Sequence, residues 1–467
     1  MTRTVFIRAG HKSVRQHFSP PLGIMSLASY LRENLPDTDV KLIDMAPERL
    51  SAEEAADKAL SFSPDVAGIS AMSYESADMA RLSGLLKSRA PDLPVIAGGP
   101  HVTTVKERAF DDPNLDYIVT GEGELSLSEL LPRVLSGEDI SEVAGIGYRE
   151  NGAGRLTAPR EEIVDLDSLP LPAYDLIDIR RYWDLPRFGT TFVNKEYATL
   201  STSRACPYQC TYCHRIFGRR YRSQSPETVL RDLETLAREH SVREIQFVDD
   251  CFNLEKKRLA AICDGIVERG LEFSISFPNG IRGDIMDRET LKKLKKAGTY
   301  RITYAIETAS PRMQKFIKKN VKLDKLKDVI EETDKQDIMV DGFFMVGFPG
   351  ETREEINMTL DYALSSKLHS ANFWFVTPFK GTELYDQAVE MGYQVPDESE
   401  SLHYFDPQTD LSEVPGPELK KMVQRTFLKF YLHPLRLWRI FKLFPNKKQL
   451  PALLARFIKI SATWNYE

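Results

Sequence analysis

Three thiols stand close together in the stretch Ser203-Arg204-Ala205-Cys206-Pro207-Tyr208-Gln209-Cys210-Thr211-Tyr212-Cys213-His214. Cys206, Cys210 and Cys213 follow a C-x3-C-x2-C spacing, and three of the chain's five cysteines fall within eight residues. Such crowding is expected where one object collects all three. Three thiolates suit an iron–sulfur cluster, whose usual site has four. A [4Fe–4S] cube held by three cysteines keeps one iron open, able to bind a small molecule and pass it an electron. Zinc is the competing reading, because soft thiolates also select it and His214 would complete a Cys3His set. Adjacent side chains such as Cys213 and His214 rarely reach one tetrahedron together. Five cysteines in 467 residues is too sparse for a disulfide framework.

The elements that position this stretch come from a chain long enough for two or three domains. Its 42% hydrophobic and 28% charged residues describe an ordinary globular protein. A net charge of −6 argues against a general nucleic-acid binder. The first residues, Met1 to Arg8, are too soon charged for a signal peptide. No uninterrupted apolar run is long enough to span a bilayer. Free cysteines then imply a reducing cytosol.

Residues 1–150 alternate strand and helix signals. Strands are expected at 4–8, 40–43, 66–70, 95–97 and 117–119, with helices at 24–35, 52–62 and 77–89. Alternation with apolar strands predicts a doubly wound parallel sheet in an α/β fold. Ligands of such sheets sit beyond the carboxyl ends of the strands. Those ends carry Ser70 to Tyr74, with Met72 and Ser73, then Gly98-Gly99-Pro100-His101 and Gly121-Glu122-Gly123-Glu124. Glycines there let backbone approach a large flat ligand, although each alone is an ordinary turn residue. No G-x-G-x-x-G follows the first strand, so a dinucleotide is not favoured.

Residues 151–195 read as a proline-rich connector. A second alternating series fills 196–385. Its strands are expected at 198–202, 244–248, 272–276, 301–306, 340–346 and 372–376. Six strand–helix units suggest a partial (β/α)6 barrel of the TIM type, whose active site lies at the carboxyl rim. That rim would gather the cysteine loop, Asp249-Asp250, Asn279 to Arg282, Glu307-Thr308 and Gly347 to Thr352. Asp249 and Asp250 offer acid or base groups, or hydrogen bonds to a ligand or loop. Cys251 at the same strand end either faces the site or is a buried, inert thiol. Lys318-Lys319 reads as solvated helix surface. The helical region 386–467 interleaves Lys and Arg with Phe, Leu and Trp. Such helices can rest on an anionic membrane surface or cap the barrel.

These motifs resemble the radical S-adenosylmethionine enzymes, through Cys206-x3-Cys210-x2-Cys213 with aromatic Tyr212 before the last cysteine. Pro20-Pro21-Leu22-Gly23, Gly98-Gly99-Pro100-His101, Gly121-Glu122-Gly123-Glu124, Leu169-Pro170-Leu171-Pro172-Ala173-Tyr174-Asp175 and Asp249-Asp250-Cys251-Phe252 resemble the family's cobalamin-dependent branch. The resemblance spans about residues 1 to 385. It implies that Cys206, Cys210 and Cys213 ligate a [4Fe–4S] cluster, whose fourth iron binds S-adenosylmethionine. Tyr212 would lie near the adenine, Glu307 and the Gly347 loop would hold the cosubstrate, and Arg282 would meet its carboxylate. A 5′-deoxyadenosyl radical would abstract hydrogen from an unactivated carbon. The Rossmann-like N-terminal domain would hold cobalamin near Ser70, Met72, Ser73, Gly98, Gly99, His101, Gly121 and Glu122. The chain carries no D-x-H-x-x-G, so a histidine replacing the cobalamin's own base has no support.

The commonest reaction of this branch is methyl transfer; ring formation, rearrangement or reduction are its alternatives. A zinc-stabilised ligand sensor is the alternative outside enzymology. The implied partners are a small or lipid-like substrate and an electron donor such as flavodoxin or ferredoxin, with no nucleic acid. The implied location is cytoplasmic, with peripheral contact at the inner membrane face through the C-terminal helices.

Overall fold

The computed structural model describes residues 1–10, 17–189, 191–395 and 406–463. The chain forms two compact units. The first is built on Met1–Arg187 and Arg215–Ser223, the second on Phe188–His214 and most of the chain beyond Gln224.

The first unit is a seven-stranded sheet. Its elements are β1 (Thr2–Arg8), α1 (Leu22–Asn34), β2 (Thr38–Asp44), α2 (Ala52–Leu60), β3 (Val66–Ser70), α3 (Ser76–Arg89) and β4 (Val95–Gly98). Then follow α4 (Gly99–Val105), β5 (Tyr117–Val119), α5 (Gly123–Ser136), β6 (Ile146–Glu150) and β7 (Ala153–Leu156). The strand order is β2-β1-β3-β4-β5-β6-β7. The first five are parallel and the last two antiparallel. Continuous apolar strands are buried on both faces, as a parallel sheet demands; Val5, Phe6 and Ile7 are all buried. Helix α2 meets the core through Ala52, Ala55, Ala56 and Ala59. It is started by Ser51 and Glu54, whose side chains satisfy each other's backbone amides. The order 2-1-3-4-5 places its switch point at β1 and β3, where a crevice opens beyond the strand ends.

The β6–β7 hairpin was not foreseen, and it straddles residue 150, where the sequence suggests a boundary. Its turn is Asn151-Gly152, with φ of 52° and 83°. An Asn-Gly pair is the strongest short hairpin signal, so the residues to find it were present.

The second unit holds β8 (Tyr197–Leu200), α6 (Pro226–Glu239), β9 (Glu244–Phe247), α7 (Lys256–Glu268), β10 (Ser274–Ile281) and α8 (Arg288–Lys296). It continues with β11 (Thr299–Glu307), α9 (Leu323–Lys335), β12 (Met339–Val346), α10 (Arg353–Ser365) and β13 (Ser370–Phe375). The six strands are all parallel, in the order β13-β12-β11-β10-β9-β8. Sequence neighbours pair throughout and the two end strands do not, which is the expected partial barrel. Helix starts are well specified: Ser225, Asp287 and Thr352 each accept a backbone amide at their helix N-terminus. Strand β10 runs to Ile281, so Asn279 to Ile281, expected in a rim loop, belong to the strand. A register irregularity between Phe277 and Ile281 and a left-handed Gly280 let it continue. The C-terminal helices are α11 (Gly416–Tyr431), α12 (Pro434–Leu443) and α13 (Leu450–Thr463). Among the described residues, no helix is long and apolar enough to cross a membrane.

Candidate active site

The cysteine loop begins two residues beyond β8, and one carboxylate fixes its start. Asp249, just past β9, is 2% exposed. Its Oδ1 accepts the Thr202 amide at 3.0 Å, the Thr202 hydroxyl at 2.9 Å and the Ser203 hydroxyl at 2.6 Å. Burial pushes the Asp249 carboxyl up, while the Arg258 guanidinium and these hydrogen bonds pull it down. Arg258 in turn donates to the Thr202 carbonyl at 2.9 Å and the Gln224 carbonyl at 2.7 Å. Asp249 is therefore a positioning group. Its neighbour Asp250 is exposed.

Beyond Ser203 the loop is held at three further points. Ala205 takes a φ of 66°, which turns the chain sharply before Cys206 at a steric cost of order 1–3 kcal/mol. Thr211 donates its amide to the Ile317 carbonyl at 3.0 Å and accepts the Leu384 amide at 2.8 Å. These two bonds tie the loop to the segments that follow β11 and β13. None of Cys206, Cys210 and Cys213 is in a disulfide. Among the described residues, no three His, Cys, Asp or Glu side chains are close enough to share one metal ion. A cube of four irons is a larger object, which spaces its thiolates rather than drawing them to one atom. The donor set is three thiols in one loop, each within electrostatic reach of another, and it fits such a cluster. Cys251 is 2% exposed, as the inert-thiol reading expects, but it is not isolated. The Cys206 and Cys251 thiols interact, which brings the Cys206 thiol down and pushes Cys251 up.

Tyr212 and Glu307 come together as the sequence places them, with a third residue it misassigned. The Tyr212 hydroxyl donates to Glu307 Oε1 at 3.0 Å. Lys319 Nζ donates to the same oxygen at 3.0 Å and to the Tyr212 hydroxyl at 3.1 Å. Lys319 and Glu307 side chains are only 11% and 8% exposed, so Lys319 is not solvated surface. The chain turns back after the short helix Pro311–Phe316, through Lys318 and Asn320 at φ near 50°. Glycine-free left-handed turns give little warning in a sequence. Burial pushes the Lys319 ammonium down, but the Glu307 carboxylate together with the Cys210 and Cys213 thiols makes the net shift upward. Glu307 itself holds a φ of 66°, backbone strain of a kind that clusters at functional sites.

Arg282 is engaged elsewhere. It pairs with Asp284 at 2.8 Å, donates to the carbonyls of Lys319 and Asn320 at 3.0 Å each, and lies 3.9 Å from the centre of the Tyr208 ring. It braces the Lys319 turn against the cysteine loop. The Gly347-Phe348-Pro349-Gly350 turn is closed from within. Glu351 Oε2 accepts the amides of Gly347 at 2.7 Å and Phe348 at 3.1 Å. Burial pushes the Glu351 carboxyl up to about 8, against the pull of those amides.

In the first unit, the expected residues line the carboxyl rim of the sheet. His101 donates its amide to the Ala71 carbonyl at 3.1 Å, and its Nδ1 lies 3.4 Å from the Ser73 hydroxyl. Burial lowers the His101 pKa, with Arg108 adding to the shift. Met72 donates its amide to Glu75 at 3.0 Å. Gly98 and Gly99 form the corner between β4 and α4. Gly99 has a φ of 88°, and a Cβ there would stand 2.6 Å from the Ser70 hydroxyl, so only glycine fits. Gly121 (φ 72°) has open space where a Cβ would stand. These backbone surfaces fit a broad planar group. Glu122 turns away from such a role. It is 8% exposed, pairs with Arg222 at 2.5 Å and accepts the Ile163 amide at 3.2 Å.

Residues 200–363 match the radical SAM superfamily and residues 12–131 match the B12 binding domain. An uncharacterised methyltransferase of Pyrococcus horikoshii is 33% identical over 418 residues, 89% of this chain and 88% of that protein. The anaerobic magnesium-protoporphyrin IX monomethyl ester cyclase of Rubrivivax gelatinosus is 25% identical, over 98% of this chain and 82% of its own. Among solved structures, the radical S-adenosylmethionine methyltransferase TsrM of Kitasatospora setae, with cobalamin and [4Fe-4S] cluster bound, has the same fold. Its TM-score is 0.68 at 17% identity, over 85% of this chain and 76% of that one.

Two outcomes are expected from this geometry. Lys319→Met leaves Glu307 buried without its cation and costs about 3–5 kcal/mol, read by denaturant unfolding. Adding Glu307→Gln to it recovers a large part of that loss. Equal stability of wild type and Lys319→Met would contradict the pairing. For Glu351, the ordinary value is 4.5 and the folded value about 8. Between these, the folded chain keeps a proton that the unfolded chain has released, so stability falls as pH rises across that window. Glu351→Gln is expected to flatten this fall in thermal melts at successive pH values; an unchanged slope would show that Glu351 does not cause it.

Proposed function

The chain belongs to the cobalamin-dependent radical S-adenosylmethionine enzymes, and we propose that it is a methyltransferase acting on an unactivated carbon of a small or lipid-like molecule. Its cofactors are a [4Fe–4S] cluster, S-adenosylmethionine and cobalamin. When bound, they supply reductive cleavage of a sulfonium C–S bond to a carbon radical, and a methyl group for transfer. The observation that carries the methyl-transfer reading is the likeness to the Pyrococcus methyltransferase along 89% of the chain.

The residues divide the work. Cys206, Cys210 and Cys213 hold the cluster in a loop that Asp249 fixes before any cofactor arrives. Tyr212, Glu307 and the Gly347 turn frame the cosubstrate, with Lys319 holding the Glu307 charge and Arg282 holding the Lys319 turn. Ser70, Met72, Ser73, Gly98, Gly99, His101 and Gly121 line the cobalamin, and Glu122 anchors the segment beside it. His101, half-buried with its pKa lowered, acts as a neutral hydrogen-bonding residue. The single electron comes from a donor of the flavodoxin or ferredoxin class.

The cyclase relative supports a second reading, radical ring formation with bound cobalamin. The test is anaerobic turnover of the reconstituted enzyme with dithionite and an extract of small molecules and lipids. Methyl transfer predicts S-adenosylhomocysteine and 5′-deoxyadenosine together. Deoxyadenosine without S-adenosylhomocysteine would overturn methylation in favour of the second reading. Cys210→Ala is expected to abolish both products and the brown cluster absorbance.

A further inference from the structure

The helix α12 is packed inside out. Its guanidinium side faces the protein: Arg436 is 5% exposed. It donates to the carbonyls of Leu364 and Ser366 at 2.9 Å each and of Leu368 and Phe430 at 3.1 Å each. Arg439, its side chain 15% exposed, pairs with Asp334 at 3.1 Å on the same side. The opposite side of the same ten-residue helix carries Leu435, Leu437, Trp438 and Phe441, exposed by 70, 46, 63 and 51%. Trp438 stands one turn from both Leu435 and Phe441, and Leu437 one turn from Phe441, so the four occupy the outer half of the helix. Leu454 and Ile458 of α13 are exposed by 60 and 58%. Half of the strongly exposed large apolar side chains among the described residues lie between Leu432 and Ile458. A soluble protein rarely leaves such a concentration open to water.

Charge identifies what covers it. Residues 416–463 contain eleven Lys and Arg and one acidic residue, Glu418, in a chain whose net charge is −6. A second copy related by a two-fold axis would set this basic surface against itself. An anionic lipid surface meets both properties, since apolar side chains enter the acyl boundary while lysines stay among the headgroups. Lys447 and Lys448 flank the apolar face, and Lys447 Nζ lies 4.5 Å from the centre of the Phe441 ring. Tryptophan is enriched at that depth. At ten and fourteen residues, α12 and α13 are too short to span and must lie flat.

We propose that the outward face of α12 and α13 docks the enzyme on an anionic membrane surface. The proposal stands apart from the choice between methylation and cyclisation. It is tested with the full-length holoenzyme by flotation with vesicles. Wild type is expected to float with phosphatidylcholine containing about 30% phosphatidylglycerol, to stay down with phosphatidylcholine alone, and to release in about 0.5 M salt. Leu435→Ser with Trp438→Ser and Phe441→Ser lowers the bound fraction about tenfold or more, with iron content and melting temperature retained. Lys447→Glu with Lys448→Glu, on exposed side chains, weakens anionic binding with the apolar residues unchanged. Failure of wild type to float with the anionic vesicles overturns the proposal. So does equal flotation of the triple-serine variant, or a dimer in light scattering that the same substitutions dissolve.

Discussion

One buried oxygen organises the second unit. Asp249 Oδ1 gathers the amide and hydroxyl of Thr202 and the hydroxyl of Ser203, and so couples the end of β9 to the start of the cysteine loop. A carboxylate is the suitable group, because it accepts several hydrogen bonds and donates none when ionised. Its burial is tolerated only because Arg258 sits near and is itself bound to the same segment. The loop then needs little further guidance. Two backbone bonds at Thr211 and the turn at Ala205 set the thiols at the rim, where a parallel sheet collects its loops in any case.

Around that anchor the rim is a set of buried charges held in pairs. Lys319, Glu307 and Tyr212 share one oxygen. Arg282 spends its donors on Asp284 and on the carbonyls that shape the Lys319 turn. Glu351 closes the Gly347 turn through two amides. In a low-dielectric interior these pairs resist rearrangement more than surface ones do, and a preorganised site is what a reactive radical requires. The strain at Ala205 and Glu307 is affordable because such pairs surround it.

The parallel part of the first sheet and the six-unit partial barrel were legible in the sequence, since strand and helix periods alternate cleanly along both units. The cysteine spacing carried the chemistry, and the Gly98-Gly99 corner was legible because only glycine tolerates its φ and its closeness to Ser70. Lys319 was not legible: a Lys-Lys pair reads as solvated, and its burial depends on a turn made without glycine. Arg282 and Glu122 were placed at the right rims, but their partners, Asp284 and Arg222, are matters of three-dimensional packing that spacing does not reveal. The inverted packing of α12 was equally hidden, because periodicity separates the two faces of a helix without saying which one meets the core.

As a methyltransferase of the cobalamin-dependent radical S-adenosylmethionine family, the enzyme would take the methyl group that it adds to carbon from S-adenosylmethionine. Turnover with S-adenosylmethionine carrying a trideuterated methyl group measures this directly. The account predicts a product that contains the intact trideuteromethyl group on carbon, formed only when cobalamin is present. An unlabelled product, formed alongside 5′-deoxyadenosine, would contradict it.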